Sequence, residues 1–249
     1  MNIIILGALG TMGKVVASAS AQYEINVVAG VDREASSAFA YPVYSSFEDV
    51  KEKPDVIIDF SHPSTLPSLL EYAVKNHIPA VIATTGMSDA DLGLIKENSK
   101  SVPLFFTFNM SLGINLLLAL SKQAASILGD GFDIEILEKH HNKKIDAPSG
   151  TAVMIANALK ETVSFDPEFV YDRHSVRRKR ETNEIGIHSV RGGTIVGEHE
   201  VIFAGLDETI TISHSASSKS VFAVGAIKAA KFIRNCKPGL YSMKEMLEQ

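Results

Sequence analysis

Residues 2–13 read NIIILGALGTMG, an apolar run that ends in three glycines spaced three positions apart. The run Asn2–Leu6 predicts a fully buried strand, and the segment Met12–Ala21 predicts a helix. Because glycine has no Cβ, the backbone between them can turn tightly and bring its N–H groups close to a phosphate, where the start of the helix also favours an anion. The segment therefore predicts a phosphate-binding turn between a strand and a helix.

The glycine spacing differs from the common dinucleotide-binding pattern. A Gly-x-Gly-x-x-Gly motif beginning at Gly7 needs glycines at 9 and 12, where this chain has Leu9 and Met12. Taken alone, the turn also fits an ordinary strand–helix connection. Asp32, at the end of the second predicted strand, favours a cofactor because an acidic side chain there can accept hydrogen bonds from ribose hydroxyls. Arg33 can stack on adenine or pair with a 2′-phosphate, so NADH and NADPH both stay open.

Short apolar runs alternate with amphipathic segments over the first hundred residues. Further strands are predicted at Ile25–Val31, Asp55–Phe60, Ile78–Ala83 and Val102–Phe106, and helices at Thr65–Asn76 and Ser88–Ser99. This alternation predicts a doubly wound parallel sheet of the Rossmann type. Ligands bind at the carboxyl ends of strands in such sheets, so the loops Ala83–Gly86 and Phe108–Ser111 are expected to line the nicotinamide side of the site.

The second half of the chain follows a different pattern. Helices are predicted at Leu112–Leu128, Thr151–Glu161 and Val221–Ile233, and strands at Asp133–Glu138, Ile185–Val190, Thr194–Phe203 and Glu208–His214. The connections between the last three strands are short, which favours antiparallel pairing of each strand with the next. We therefore expect a second α+β domain built on an open mixed sheet with helices on one face.

Composition narrows the class of protein. The chain has 249 residues, of which 45% are hydrophobic and 21% charged, as in ordinary soluble globular proteins. Its net charge of −5 gives no support to a nucleic-acid partner. The single cysteine, Cys236, fits a reducing compartment. The N-terminus lacks the basic region of a signal peptide. The apolar stretch Leu112–Leu120 is too short to span a bilayer. We expect a cytoplasmic protein with no membrane partner.

Residues 138–152, EKHHNKKIDAPSGTA, concentrate chemically active side chains at a strand end. The histidines His140 and His141 can move a proton near neutral pH, and the lysines supply cations or proton donors. Adjacent histidines on a strand point to opposite faces, so they make a poor metal pair and we expect no metal. Each feature alone has an alternative interpretation: the lysines can be solvated, and Pro-Ser-Gly-Thr can be an ordinary helix cap. The occurrence of histidines, lysines and a helix cap within fifteen residues indicates a reaction site.

This segment resembles the signature of the 4-hydroxy-tetrahydrodipicolinate reductase (dihydrodipicolinate reductase) family. The family pattern is Glu-x-His-His-x-x-Lys-x-Asp-Ala-Pro-Ser-Gly-Thr-Ala, and the chain fits every fixed position. Further matches are the glycine turn, Asp59-Phe60-Ser61, Thr84-Thr85-Gly86, Asn109 with Ser111, Arg191-Gly192-Gly193, Gly197-Glu198-His199 and Lys237-Pro238-Gly239-Leu240-Tyr241. The chain departs from the family at Ala83, where glycine is frequent, and at Asn142-Lys143, where Arg-His is frequent.

The resemblance implies an activity and an organisation. The activity is the NAD(P)H-dependent reduction of 4-hydroxy-tetrahydrodipicolinate to tetrahydrodipicolinate, in the diaminopimelate route of lysine biosynthesis. Residues 1–110 and 221–249 would form the dinucleotide-binding domain, and residues 111–220 the domain for substrate binding and oligomerisation. The family is usually tetrameric, so a homotetramer is expected.

The resemblance also implies roles for single residues. His140 would be the catalytic proton donor or acceptor and Lys144 the second proton donor, while His141, Lys144, Gly150 and Thr151 would contact the substrate. NADH or NADPH would be held by Gly7, Ala8, Leu9, Gly10, Thr11, Met12, Asp32, Arg33, Ala83, Thr84, Thr85, Thr107, Phe108, Asn109 and Met110. The physical chemistry agrees, because the substrate carries two carboxylates that lysine, histidine and helix N–H groups can neutralise.

Two other functions fit parts of the sequence. Another NAD(P)-dependent enzyme of this architecture, such as an amino-acid dehydrogenase, would keep the glycine turn but has no need of the histidine segment. A non-catalytic NAD(P)H sensor should have lost His140 or Lys144, and both are present. The basic run Arg173–Arg180 lies outside the family signature. We interpret it as a solvated loop, as charge runs usually are, and a role in gathering an anionic substrate stays open.

Overall fold

The computed structural model describes residues 1–248. Its strands are β1 (Asn2–Leu6), β2 (Asn26–Val31), β3 (Val43–Tyr44), β4 (Val56–Asp59), β5 (Ala80–Ile82), β6 (Pro103–Phe106), β7 (Asp133–His140), β8 (Glu168–Val170), β9 (Glu184–Arg191), β10 (Gly197–Ala204), β11 (Thr209–Ala216) and β12 (Gly239–Tyr241). Its α-helices are α1 (Thr11–Ser20), α2 (Leu66–Asn76), α3 (Asp89–Asn98), α4 (Leu112–Leu128), α5 (Gly150–Lys160), α6 (Ser220–Ile233) and α7 (Met243–Leu247).

The described chain divides into two compact units. Met1–Leu112 and the C-terminal segment from Lys219 form the first unit, and Gly113–Ser218 forms the second. The boundaries expected from the sequence lie within two residues of these. Each unit has its own sheet and its own buried apolar core.

The first unit is built on a seven-stranded parallel sheet in the order β12-β6-β5-β4-β1-β2-β3. Along β1, Ile3 and Ile5 enter one buried cluster with residues of α1 and α6, whereas Ile4 and Leu6 enter another with residues of α2 and α3. Burial on both faces confirms the predicted doubly wound Rossmann-type sheet. The sequence pattern missed the two edge strands β3 and β12, which have only two and three residues.

The register of this sheet brings the strand ends together. Leu6 of β1 pairs with Asp59 of β4, Asp59 pairs with Ile82 of β5, and Ile82 pairs with Phe106 of β6. The turns that follow these four strands therefore leave the sheet at the same edge, as expected for a ligand site of this architecture.

The second unit is built on a five-stranded mixed sheet in the order β11-β10-β7-β9-β8. The hairpin β10–β11 is antiparallel, as predicted, but the predicted pairing of β9 with β10 is wrong. Both strands pair with β7 instead, β9 in parallel and β10 antiparallel. The connection at residues 192–196 is long enough to cross the end of one strand, because strands lie only about 5 Å apart and each residue reaches about 3.5 Å.

Helices α4 and α5 cover one face of this sheet, which confirms the predicted placement. Leu117 of α4 and Ile155 of α5 join a buried cluster with Ile136 of β7 and Val201 of β10. The segment Leu112–Gly131 is also long and apolar enough to cross a membrane by length and composition alone, although its first nine residues by themselves are too short. One side of α4, with Leu117 and Ala125, is buried in the cluster.

The basic run proves to be largely paired with carboxylates. Arg173 contacts Glu184 at 2.6 Å and Glu135 at 2.7 Å, Arg178 contacts Glu184 at 2.9 Å, and Arg180 contacts Glu135 at 3.2 Å. Glu184 is almost completely buried, so its charge needs these partners. Arg173 and Arg178 are exposed in a loop, as the interpretation expects, and the three arginines also pair with acids of β7 and β9.

Helix α6 lies close to the backbone that follows β6. A Cβ added to Gly225 would lie 1.7 Å from the carbonyl oxygen of Met110, so only glycine fits at this crossing. Gly93 of α3 is the opposite case, because a Cβ there would have no heavy atom within 4 Å.

Gly225→Ala is expected to lower the free energy of unfolding of the first unit by about 1–3 kcal/mol, because the backbone must move to admit the methyl group. Gly93→Ala in the same unit should raise it by about 0.5–1 kcal/mol, because alanine is the better helix former. Urea unfolding followed by circular dichroism measures both. Equal effects of the two substitutions would contradict the close packing at Gly225.

Candidate active site

The turn after β1 packs so tightly that side chains are excluded at two of its positions. Gly7 has φ +82°, and a Cβ there would lie 2.6 Å from the carbonyl oxygen of Phe60. A Cβ on Gly13 would lie 2.2 Å from the carbonyl oxygen of Gly7, so the first turn of α1 can pack on the strand only without a side chain. Gly10 caps α1, with no side chain bonded to the helix start and no acidic residue in its first turn. The helix therefore presents backbone N–H groups to an anion.

Asp32 holds this turn in place. Its Oδ2 accepts a hydrogen bond from the backbone N–H of Leu9 at 2.8 Å, and its Oδ1 accepts one from the N–H of Arg33 at 2.8 Å. A carboxylate oxygen has two acceptor positions, so Asp32 retains acceptor capacity for a ribose hydroxyl. One open cleft is lined by Gly7, Leu9, Gly10, Asp32 and Arg33, together with Phe60 and Ser61.

A buried carboxylate connects the turns after β4 and β5. Asp59 is fully buried and accepts hydrogen bonds from the Ser61 hydroxyl, from the Ser61 N–H at 2.9 Å and from the Thr84 hydroxyl at 2.9 Å. Burial raises the pKa of Asp59 to about 6, although these hydrogen bonds act to lower it. Within residues 1–248 no cation pairs with this carboxylate, so its ionised form is costly.

The residues after β5 and β6 that are expected to bind a cofactor differ in exposure. Thr85 and Phe108 are exposed and available to a ligand. Ala83, Thr84 and Met110 are buried, with the Thr84 side chain bonded to Asp59 and Met110 part of the core, so only their backbones can contribute. Thr107 is half-buried, and Asn109 is buried beside it, its N–H donating to the Thr107 hydroxyl.

His140 is the last residue of β7, two positions beyond the predicted end of the strand. The strand continues because both neighbours pair with it, Arg191 of β9 opposite His140 and Glu198 of β10 opposite Lys139. His140 points to the face covered by the helices and is buried to 9% exposure. Burial lowers its pKa, although the adjacent Glu138 acts to raise it.

Glu138 is fully buried on the same face, where alternation along the strand places residues two apart. Its Oε2 lies 2.6 Å from Nδ1 of His140. Arg191 donates to both carboxylate oxygens, at 2.8 and 2.7 Å, and the backbone N–H of Ser149 donates at 3.1 Å. Burial acts to raise the pKa of Glu138, but the hydrogen bonds from Arg191 and Ser189 outweigh it and hold the pKa at about 2.

The start of α5 is joined to the same cluster. Ser149 caps the helix by accepting the N–H of Ala152, and its hydroxyl lies 3.0 Å from Nε2 of His199. The rings of His140 and His199 meet edge to face with centroids 5.3 Å apart. Burial lowers the pKa of His199 to about 4, so this ring is neutral at pH 7. Gly150 and Thr151, expected to bind substrate, form the first turn of this helix.

Lys144 and His141 follow β7 in the loop. The Nζ of Lys144 lies 2.8 Å from Asp146 Oδ1, and this ion pair lowers the pKa of Asp146. His141 is half-buried, and its Nδ1 has no hydrogen-bond partner. Within residues 1–248 no group of three or more His, Cys, Asp or Glu side chains is arranged to hold a metal ion.

Two family models together cover almost the whole chain. The N-terminal model of dihydrodipicolinate reductase matches residues 1–110, and the C-terminal model matches residues 113–247. The chain belongs to the dihydrodipicolinate reductase family. The resemblance noted in the sequence is thereby confirmed, and with it a nicotinamide cofactor.

Curated relatives and a solved structure agree with this family membership. The 4-hydroxy-tetrahydrodipicolinate reductase of Caldanaerobacter subterraneus subsp. tengcongensis is 54% identical over 100% of this chain and 99% of its own length. That of Clostridium botulinum is 47% identical over 99% and 98%. A dipicolinate-bound dihydrodipicolinate reductase from a Paenisporosarcina species has the same fold, with a TM-score of 0.80 at 24% identity and 97% of each chain covered.

Sequence reasoning did not assign roles to Glu138, Arg191 or His199, which surround His140 in this family member. One signal was available, because a Glu-x-His pair in a strand places both side chains on one face. Arg191 reaches Glu138 only because β9 pairs with β7, whereas the sequence predicted that β9 pairs with β10.

The buried Asp59 gives a prediction for stability against pH. Its pKa in the folded chain, about 6, lies above its ordinary value of 3.8, so ionisation opposes folding and stability falls as pH rises between these values. Asp59→Asn removes this titration. Relative to the variant, the wild type should lose about 2–3 kcal/mol of unfolding free energy between about pH 4 and about pH 7. Urea unfolding at both pH values measures the difference, and parallel pH dependences would contradict it.

Proposed function

We propose that this chain catalyses the NAD(P)H-dependent reduction of 4-hydroxy-tetrahydrodipicolinate to tetrahydrodipicolinate. The observation that carries the proposal is the cluster at the end of β7, where an acid–base histidine, a lysine and a helix start lie beside each other in a chain whose relatives bear that name. This activity belongs to the diaminopimelate route of lysine biosynthesis.

The first unit would hold the cofactor, which supplies the hydride. Gly7 and Gly10 allow the tight turn, and the start of α1, which has no side-chain cap, offers backbone N–H groups that fit a pyrophosphate. Asp32 would accept hydrogen bonds from the ribose, and the guanidinium of Arg33 can accommodate a 2′-phosphate. The two residues support the use of either NADH or NADPH.

The second unit would bind the substrate and supply the proton. Lys144, His141 and the N–H groups of Gly150 and Thr151 offer positive charge and hydrogen bonds to two carboxylates. Arrival of hydride places negative charge on the substrate ring, and an acid close to it lowers the barrier. His140 is the proton donor or acceptor in this proposal, with Lys144 as the second donor.

The homotetramer and the cytoplasmic location are part of the same proposal. Leu137 and Ile202 lie, beside charged side chains, on the face of the second sheet opposite α4 and α5. Covering that face with further copies of the chain would bury it. A lone cysteine fits a cytoplasmic biosynthetic enzyme, for which we propose no nucleic-acid or membrane partner.

Nicotinamide oxidation in the presence of substrate made in situ from pyruvate and aspartate semialdehyde tests the activity. His140→Gln should lower kcat by roughly 10²–10⁴-fold, because the acid–base group is lost, while cofactor affinity stays nearly unchanged. His188→Gln is the control, since His188 lies in the same sheet but contacts Glu135 rather than the cluster. No turnover by the wild type with either cofactor would overturn the proposal, and full activity of His140→Gln would remove His140 from its role.

Sedimentation equilibrium tests the oligomer. We expect the mass of four chains, and Leu137→Glu should shift the distribution to smaller species because it places a charge in the buried interface. A wild-type protein that sediments as a monomer would contradict the tetramer without affecting the proposed reaction.

A further inference from the structure

We propose that Glu138 is a positioning residue for this reaction: it fixes the ring of His140 with the proton on Nδ1 and leaves Nε2 as the atom that exchanges a proton with the substrate. The inference rests on the proposed role of His140. Glu138 itself touches neither substrate nor cofactor in it, and acts only through the histidine.

The first step is the geometry of the pair. Glu138 Oε2 lies 2.6 Å from His140 Nδ1, a short separation typical of a charge-assisted hydrogen bond. The two side chains leave the same face of β7, and Glu138 is fully buried, so neither can turn away without breaking the strand packing. His140 therefore has one ring nitrogen committed to the carboxylate.

The second step is the charge on Glu138. An ionised carboxylate only accepts hydrogen bonds, and every group bonded to Glu138 can donate: both terminal nitrogens of Arg191, the N–H of Ser149 and the Ser189 hydroxyl. Neutral His140 must then carry its proton on Nδ1. The ionised Glu138, held by the half-buried Arg191, therefore sets the tautomer of His140.

The third step concerns the free ring nitrogen. No hydrogen-bond partner contacts Nε2 of His140 within the described chain. Gly197 of β10 lies beside it, and a Cβ at that position would be 3.1 Å from Nε2. Glycine thus keeps the space next to Nε2 open, which a proton-exchanging atom requires.

The fourth step is the electrostatic balance around the ring. The charged or titratable groups facing His140 are Glu138 of β7, Arg191 of β9, His199 of β10 and Lys144 of the following loop. Burial, Arg191 and Lys144 all disfavour the imidazolium, His199 is neutral at pH 7, and Glu138 alone favours it. When His140 donates its Nε2 proton, the imidazolium becomes neutral imidazole, the Nδ1 proton stays in place and Glu138 remains ionised.

A purely structural role explains the cluster less well. A buried ion pair usually contributes little net stability, because desolvation of both charges offsets their attraction, and apolar side chains could fill the same space. The Glu138–Arg191 pair has a function if it orients a catalytic imidazole, and packing alone would not require the pair.

Glu138→Gln tests the inference, with Glu135→Gln as the matched control. Glu135 lies on the same strand and likewise binds a histidine and arginines, but it points to the opposite face and does not contact His140. Glu138→Gln should lower kcat by roughly a hundredfold with unchanged cofactor affinity, whereas Glu135→Gln should stay within about threefold of the wild type. The limb of the kcat/KM pH profile due to His140 should move to lower pH, because the imidazolium loses its counter-charge.

Ring ¹⁵N chemical shifts, assigned to His140 with the His140→Gln variant, report the tautomer without reference to turnover. The Nδ1-protonated form should dominate in the wild type and lose population in Glu138→Gln. If that variant does not fold, Glu138→Gln/Arg191→Gln removes both buried charges and is measured in the same way. An unchanged tautomer and pH profile would overturn the inference even if activity fell. Absence of reductase activity in the wild type would instead overturn the proposed function, and the ring shifts would still decide whether Glu138 fixes His140.

Discussion

A carboxylate buried away from water needs hydrogen bonds and a counter-charge to offset its lost hydration. In the second unit this requirement links the reactive histidine to the fold. Glu138 lies in the central strand β7 with no exposed surface, so its charge depends on Arg191 from β9 and on the N–H of Ser149 at the start of α5. Those contacts exist only when three elements are in register. The hydrogen bond from Glu138 to His140 therefore joins the orientation of the reactive ring to the correct assembly of the sheet and its helix.

The first unit also contains a buried carboxylate, but its hydrogen-bond partners are neutral. Asp59 is as deeply buried as Glu138, yet its partners are neutral hydroxyl and N–H groups, and its pKa is raised where that of Glu138 is lowered. A cation makes the difference between the two carboxylates. Asp59 joins two turns at the edge where the cofactor would bind, while Glu138 is kept ionised by Arg191 and can therefore support an imidazolium at His140.

Much of this could be predicted from the sequence, for identifiable reasons. The doubly wound sheet follows from apolar runs alternating with amphipathic helices, and the turn at Gly7 follows from glycines placed between a buried strand and a helix. The segment that contains His140 and Lys144 was singled out because its residue types are unusual for a loop, and the family resemblance implied roles for the two residues. The pairing of β9 with β7 could not be found, because short connections favour hairpins and nothing local indicates that residues 192–196 cross another strand. Arg191 and its charge therefore stayed without a role, as did the carboxylate partners of Arg173 and Arg180.

The connection at residues 192–196, which crosses the end of β7, has a consequence for folding. The ring of His140 is flanked by Arg191 of β9 and His199 of β10. These two strands pair with β7 and not with each other, and the chain between them crosses the end of β7. No local hairpin can assemble this environment. Contacts between residues about fifty positions apart must form first, and contacts of such separation are slow to form. The hairpin β10–β11 can form from neighbouring residues, whereas the reactive centre is complete only when β9 and β10 have both paired with β7.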